Sequence, residues 1–339
     1  MIPCSVRRSG VIDSFRMQLD ANVAVLSVYL LSTTAAALYF ARRQRLRASA
    51  ARSGENYFLG GRSMAGWALG CSLVATQMSS VTFLAYPATS FATNWLLLNS
   101  TFGLPFVSIF TAAWVVPFFR RAVKLSAYEL LEARFNLTCR LYVAFCYCLL
   151  QLARTCTILY LVSFPLATLT GASPAVVIIC SGFGISLYTV VGGFYAVVFT
   201  DVVQAITLLL SGVLVFTQCV NQLPSDLGWA LANASAAGKF SLTVDAAGAG
   251  RSAPLLQLFS TCLYLLTLCV YQDTVQRVCA ASSLREARIA IMVLGVAAIP
   301  IWAFFMLIGA LSRRLWAMQR VPRTRSRMHV CVCAVSVSR

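Results

Sequence analysis

Charged residues are scarce in this sequence, and histidine is almost absent. Only 11% of the 339 residues are charged, and His329 is the single histidine. One histidine argues against a bis-histidine haem protein and against a Ser-His-Asp hydrolase, whose base must lie beside the nucleophile. The sequence also lacks a GxxxxGK[ST] phosphate-binding loop, which argues against an ATP-driven pump. No pair of acidic residues has a spacing that predicts a catalytic acid and base, so an enzyme is not expected.

Clusters of metal ligands are also missing. The thirteen cysteines lie mostly in apolar segments, where cysteine behaves as a small hydrophobic residue. Neither Cys146-x-Cys148 nor Cys331-x-Cys333 has a second pair at the spacing of a zinc site. We therefore expect no resident metal and no organic cofactor.

Hydrophobic residues, in contrast, make up 59% of the chain, and the mean hydropathy is +0.79. These values predict an all-α, polytopic membrane protein, with the lipid bilayer as a partner and the plasma membrane as its location. The net charge of +17 comes almost entirely from arginines in the gaps between apolar runs. Such clustering is typical of membrane borders, so nucleic acid is not an expected partner.

The apolar runs predict three regions: an N-terminal tail at 1–22, a transmembrane domain at 23–311 and a basic tail at 312–339. Between the spans, the sequence predicts a short amphipathic helix at 126–135 and a polar loop at 219–253. About eight spans are predicted, at 23–40, 65–91, 96–119, 141–169, 174–191, 194–216, 255–271 and 289–311.

The basic tail conflicts with this topology. It contains seven arginines and no acidic residue, yet eight spans from an outside start would leave it outside the cell. Either the topology is wrong by one span, or the tail is not the natural continuation of the membrane domain.

Hydrogen-bonding side chains interrupt the second predicted span. Lipid offers these side chains no hydrogen-bond partner, so they must face other protein groups or a water-filled cavity. Pro87 and the small residues near it favour a break in this helix, and a break frees backbone carbonyls to hold an ion. Hydrogen bonding between helices is the alternative use of these groups. They are Ser72, Thr76, Gln77, Ser79, Ser80 and Thr82.

A second polar position lies near the inner end of the sixth predicted span. Asp201 and Gln204 are about one helical turn apart and share a face. A carboxylate in a membrane span is a candidate functional group. The alternative is that Asp201 caps a helix or pairs with a loop arginine.

Five segments in this order resemble the sodium/solute symporter family, which includes sodium-coupled sugar, monocarboxylate, vitamin and iodide carriers. Together they span most of the membrane domain. They are NYFLGGRSM at 56–64, SLVATQMSSVTFLAYP at 72–87, SAYELLEARF at 126–135, YTVVGGFYAVVFTDVVQ at 188–204 and YQDTVQRVCAASSLREAR at 271–288.

The resemblance implies a LeuT-like inverted-repeat fold in which broken helices hold the ion and the solute at mid-membrane. It implies that the carbonyls of Ala75 and Met78 supply part of a sodium site, and that Asp201 assists sodium passage toward the inside. It further implies a small organic solute bound by side chains of three residues, Gln77, Thr82 and Tyr264.

The motif resemblance ends at Leu311, before the helix whose hydroxyl residues complete the family's sodium site. The fold is therefore expected to be C-terminally incomplete, and a frameshift, a misread exon or a truncation would explain the basic tail. The expected function is sodium-coupled solute symport by alternating access, which truncation could abolish. The alternative is a non-transporting fragment or a membrane protein that binds a solute or a partner.

Overall fold

The structure is a computed structural model. It describes residues 24–25, 27–29, 31–36, 38–39, 42, 57–78, 80–99, 101–122, 126–223, 226–242, 253–269 and 271–319. The predicted tail at 1–22 lies outside these residues, as do residues 320–339 of the predicted basic tail.

The described residues are nearly all helical, which confirms the predicted all-α class. Helix α1 is described at helical positions between 24 and 42. The others follow in chain order: α2 (Gly66–Gln77), α3 (Ser80–Ala92), α4 (Leu96–Ala122), α5 (Glu129–Arg134), α6 (Leu137–Thr170), α7 (Pro174–Leu187), α8 (Gly192–Asn221), α9 (Leu227–Ala236), α10 (Ala253–Cys269), α11 (Gln272–Ala280) and α12 (Leu284–Gln319).

Four of these helices, α4, α6, α8 and α12, are long and apolar enough to cross a membrane. Two further pairs qualify only when both helices are counted together. The pair α2 and α3 is bent by 54°, and the pair α10 and α11 is bent by 56°. The described residues thus contain up to six such spans, and the count of eight stays a prediction.

One local expectation is confirmed, because helix α5 forms within the segment predicted as a short amphipathic helix. A turn also separates α7 from α8, because Gly193 has φ 63° and ψ −174° and interrupts the helical path. Only a glycine adopts this backbone conformation without strain.

The polar loop predicted at 219–253 is wrong in part, because α9 forms inside it. Its sequence LGWALANASA is short and carries small polar residues, so no long apolar run marks it. The helix is held by burial of Ala230 and Ala234, both of which have no exposed surface. This contact is tertiary and leaves no periodic signal in so short a segment.

The chain divides into two compact units. The first comprises Met1–Arg47 and Tyr147–Thr200, and the second comprises Ala48–Cys146 and Asp201–Arg339. In the first unit, Gln151 Nε2 donates a 3.0 Å hydrogen bond to the Tyr147 hydroxyl. The aromatic rings of Tyr160 and Phe164 meet edge to face at 4.9 Å.

Helix α12 forms the centre of the second unit and packs along both α2 and α3. Its side chains Ile291, Phe305, Met306 and Leu311 are at most 1% exposed. Close approach depends on Gly309, where an added Cβ would lie 2.1 Å from the Pro87 carbonyl oxygen. Small residues at such contacts let helix backbones approach closely within membranes.

Candidate functional site

The chain leaves its helical path after α2, within the run of polar residues in the second predicted span. Helix α2 ends at Gln77, and Met78 follows in an extended conformation with φ −94° and ψ 94°. The amide of Met78 donates to the Val74 carbonyl at 2.8 Å, and α3 then starts at Ser80. The predicted helix break is therefore confirmed, but it lies after Gln77, and Pro87, which was expected to favour it, is inside α3. Ala75 lies in the last turn of α2, where carbonyls lack a partner within the helix.

A buried polar network lies directly against this last turn. The guanidinium of Arg277, on α11, donates to the Ser72 hydroxyl at 2.9 Å and to the Thr76 hydroxyl at 2.7 Å. It also lies 3.2 Å from Oδ2 of Asp201, on α8. The Ser72 hydroxyl in turn donates to the same oxygen at 2.5 Å. Three helices, α2, α8 and α11, are thus tied together beside the break.

The network is shielded from solvent, which makes its hydrogen bonds strong. Ser72 has no exposed surface, and Arg277 is 7% exposed. Removing a charged group from water is costly, and Arg277 offsets this by bonding to two hydroxyls, the Asp273 carbonyl and a carboxylate. Hydrogen bonds to charged groups contribute about 1.5–3 kcal/mol each.

Asp201 retains capacity for a further ligand. Both of its hydrogen bonds, from Ser72 and Arg277, go to Oδ2, and in the described part of the chain Oδ1 accepts none. The alternative expectation was a loop arginine as the partner of Asp201, whereas the structure pairs Asp201 with Arg277 on helix α11.

The residues expected to contact the solute lie on three helices. Gln77 ends α2 and is half-buried, whereas Thr82 lies in the first turn of α3 and is buried. Tyr264 lies on α10, the first helix of the second bent pair, and is 59% exposed. The structure thus puts each residue on a broken helix, and their contact with a solute stays a prediction.

The two bent helix pairs are joined at their ends away from α3 and α10. Met64, just before α2, accepts a hydrogen bond from the Ser282 amide at 3.0 Å and donates one to the Ala280 carbonyl at 3.3 Å. Arg120 donates from Nη1 to the carbonyls of Val278 and Ala281, at the end of α11. The motif at 56–64 therefore fixes α2 against α11.

An acidic side chain lies at the start of α2. The Gly66 amide donates to Oε2 of Glu286 at 2.5 Å. A helix N-terminus has unpaired amides and a partial positive charge, so a carboxylate stabilises it. Both ends of α2 are therefore held by side chains that come from distant parts of the sequence.

No functional role was predicted from the sequence for Arg277, Arg120 or Glu286. Arg277 and Glu286 lie in the quoted motif at 271–288. Arg120 directly follows an apolar run, where arginines are common at the border of a membrane. Arg277 follows Asp273 by one turn on the short polar helix α11, which was the one available signal. The partners themselves lie 76 to 220 residues away.

Comparison with known proteins gives a consistent result. The model of the sodium:solute symporter family matches residues 57–337, which extends past Leu311. The chain is 30% identical over 293 residues to the sodium/sialic acid symporter SiaT of Proteus mirabilis (strain HI4320), covering 85% of this chain and 57% of that protein. It is 34% identical over 158 residues to the human sodium/iodide cotransporter, covering 47% and 25% of the two chains.

A solved structure is also similar over most of the chain. It is described as the substrate-bound outward-open state of a Na⁺-coupled sialic acid symporter. The TM-score is 0.81 at 26% sequence identity, covering 93% of this chain and 65% of the other. This chain thus spans little more than half the length of the first curated relatives it matches.

Proposed function

The chain belongs to the sodium:solute symporter family, and from that premise we propose that it couples the movement of sodium to the transport of a small organic solute by alternating access. It is a multi-pass membrane protein, and its relatives are transporters. Because it covers 57% of the sialic acid symporter it matches, transport by this chain is our proposal.

One observation carries the proposal, the break between α2 and α3. The carbonyl end of α2 points its partial negative charge toward the break, which favours a cation there. Ala75 and Met78 are the residues whose carbonyls we assign to sodium, because hard cations prefer oxygen ligands. Discontinuous helices of this kind supply ion sites in secondary transporters.

Asp201 is proposed to assist sodium passage toward the inside. Its Oδ1 accepts no hydrogen bond within the described residues, so a passing ion could bind it without breaking the contact to Arg277. Arg277 meanwhile offsets the cost of burying the carboxylate. Gln77, Thr82 and Tyr264 are proposed to contact the solute, and we propose sialic acid as the first candidate because relatives are named for it.

The test is uptake by the purified chain in proteoliposomes. An inward sodium gradient is compared with an equal potassium gradient, using labelled sialic acid, sugars and monocarboxylates. We expect sodium to stimulate the uptake of at least one solute, and collapse of the gradient with an ionophore to abolish the stimulation. Uptake that is equal in both salts would overturn the coupling.

A parallel binding measurement separates the two candidate functions. Equilibrium binding of the same solutes is measured in detergent, with and without sodium. Sodium-dependent binding without uptake would support the alternative, a non-transporting protein that binds solute. Binding together with uptake supports the symporter.

A further inference from the structure

Lys239 is buried in a place where lysine is rarely found. Its residue surface is 6% exposed, and its ammonium group donates to the carbonyls of Thr93, Phe91 at 3.1 Å and Ser90 at 3.5 Å. These carbonyls belong to the last turn of α3 and the residues just after it. Fully buried lysines are rare unless they are paired, so this contact is a specific feature of the fold.

The ammonium matches the electrostatics of the helix end. The last four carbonyls of a helix have no partner within it, and the C-terminus carries a partial negative charge. The buried ammonium of Lys239 donates to three carbonyls at this end of α3, and its positive charge lies at the negative end of the helix. Glu286 plays the opposite role at the Gly66 end of α2. The broken helix is therefore held at both outer ends by side chains of complementary charge.

The residues around Lys239 dock onto the same helix end. The Lys239 amide donates to the Ala234 carbonyl at 3.0 Å, which anchors the turn to α9. The Trp95 amide donates to the Ser241 carbonyl at 3.1 Å. The ring of Phe240 meets Trp95 edge to face at 4.9 Å. We call this contact between residues 239–241 and residues 90–95 the α3 latch.

Helix α3 carries a residue of the proposed solute site near its other end. Thr82 precedes Ser90 by eight residues, or about 12 Å along the helix at about 1.5 Å per residue. Thr82 and the latch residue Ser90 belong to one continuous helix, so we expect the fixed end of α3 to influence the position of Thr82 and of the break. Pro87 lies between them and makes close contact with Gly309 of α12.

We propose that Lys239 is a positioning residue, which holds α3 so that the break and Thr82 keep the geometry that binds sodium and solute. This inference rests on the proposed function. It assigns the segment after α9, which the sequence predicts to be an outer loop, a part in setting binding affinity. Lys239 itself is not one of the residues proposed to contact sodium or solute.

The test compares Lys239→Met, Lys239→Arg and the unmodified chain in two measurements. Methionine keeps an unbranched apolar side chain of similar length and removes the ammonium charge, whereas arginine keeps a positive charge. Hydrogen exchange of peptides covering 89–98 reports on the latch, and we expect roughly tenfold faster exchange in Lys239→Met. Sodium-dependent solute uptake reports on positioning. We expect a roughly tenfold higher half-saturating sodium concentration, a maximal rate within about twofold, and at least partial recovery in Lys239→Arg.

Lys124→Met removes the only other lysine in the chain and serves as a control with the same change in net charge. Unchanged exchange in Lys239→Met would overturn the latch. Faster exchange with unchanged sodium dependence would overturn the positioning role and leave a purely structural contact. If uptake by the unmodified chain does not respond to sodium at all, the transport proposal and the positioning role are both wrong. The hydrogen-exchange measurement then still tests whether the α3 latch exists.

Discussion

Arg277 Nη2 lies 3.2 Å from Oδ2 of Asp201, although 76 residues separate them in the sequence. This ion pair is buried, with side-chain exposures of 8% and 17%. It connects α11 to α8, and through Ser72 and Thr76 it also connects both to the last turn of α2. The geometry beside the helix break therefore depends on one arginine.

Replacing Arg277 should destabilise the protein strongly. In Arg277→Met the Asp201 carboxylate stays buried without a cation, and such losses lower the free energy of unfolding by about 3–5 kcal/mol. The measurement is thermal unfolding of the detergent-solubilised protein. The double variant with Asp201→Asn should lose less than the sum of the single variants, because the two residues interact directly.

Arg140→Met provides the matched control. Arg140 pairs with Glu132 at the surface, with side-chain exposures of 35% and 41%. Exposed ion pairs contribute at most about 1 kcal/mol, so this variant should unfold close to the unmodified chain. Equal losses for both arginine variants would contradict the assignment of a buried, structurally important pair.

Asp201→Asn should weaken the sodium dependence of uptake. The variant keeps the shape of the side chain but removes the negative charge proposed to attract the ion. We expect the half-saturating sodium concentration to rise roughly tenfold, which corresponds to about 1.4 kcal/mol of lost ion binding. Sodium titration of solute uptake measures it.

Asp226→Asn is the control for that experiment, because it makes the same chemical change at an exposed aspartate outside the network. A smaller rise in Asp226→Asn than in Asp201→Asn would support a direct role of the Asp201 carboxylate. An unchanged sodium response in Asp201→Asn would remove Asp201 from the ion path.

Gly309→Ala should disturb the contact between α12 and α3. The added methyl group would lie 2.1 Å from the Pro87 carbonyl oxygen, so the helices must separate. Overpacking of this kind lowers stability by about 1–3 kcal/mol. In Gly184→Ala the new Cβ meets nothing within 4 Å, and stability should rise by about 0.5–1 kcal/mol because alanine favours a helix. The measurement is the thermal unfolding midpoint of the Gly309→Ala and Gly184→Ala variants. Equal midpoints would show that α12 does not pack against α3 as described.

Glu286→Gln should weaken the start of α2. The Gly66 amide would lose a charged acceptor at the positive end of the helix, which lowers stability by about 0.5–2 kcal/mol. Glu132→Gln, at an exposed position outside this contact, is the control and should change stability by less than about 1 kcal/mol. A loss in Glu132→Gln as large as that in Glu286→Gln would contradict a specific role for the capping carboxylate.

The sequence by itself determined the helical class, most helix positions and the break after α2. Long apolar runs can satisfy their backbone groups in a membrane only as helices, so the helical class follows from composition. The polar side chains between Ser72 and Thr82 favoured the break because lipid offers such groups no partners, whereas Pro87, which also favoured a break, lies inside α3. The family followed from motifs such as NYFLGGRSM, whose residues Phe58 and Met64 form hydrogen bonds with α11 and with the residues just after it.

Only the tertiary structure decided which polar groups meet. Apart from Asp273 one turn before it, nothing in the sequence distinguishes Arg277 from the other arginines. Helix packing buries it and brings it to the hydroxyls of Thr76 and Ser72, which lie 201 and 205 residues away. Lys239 lies in a segment predicted as a polar loop, yet α9 forms beside it and turns it onto the end of α3. The physical reason is that burial and pairing depend on distances set by helix packing, which a local pattern of residues does not encode.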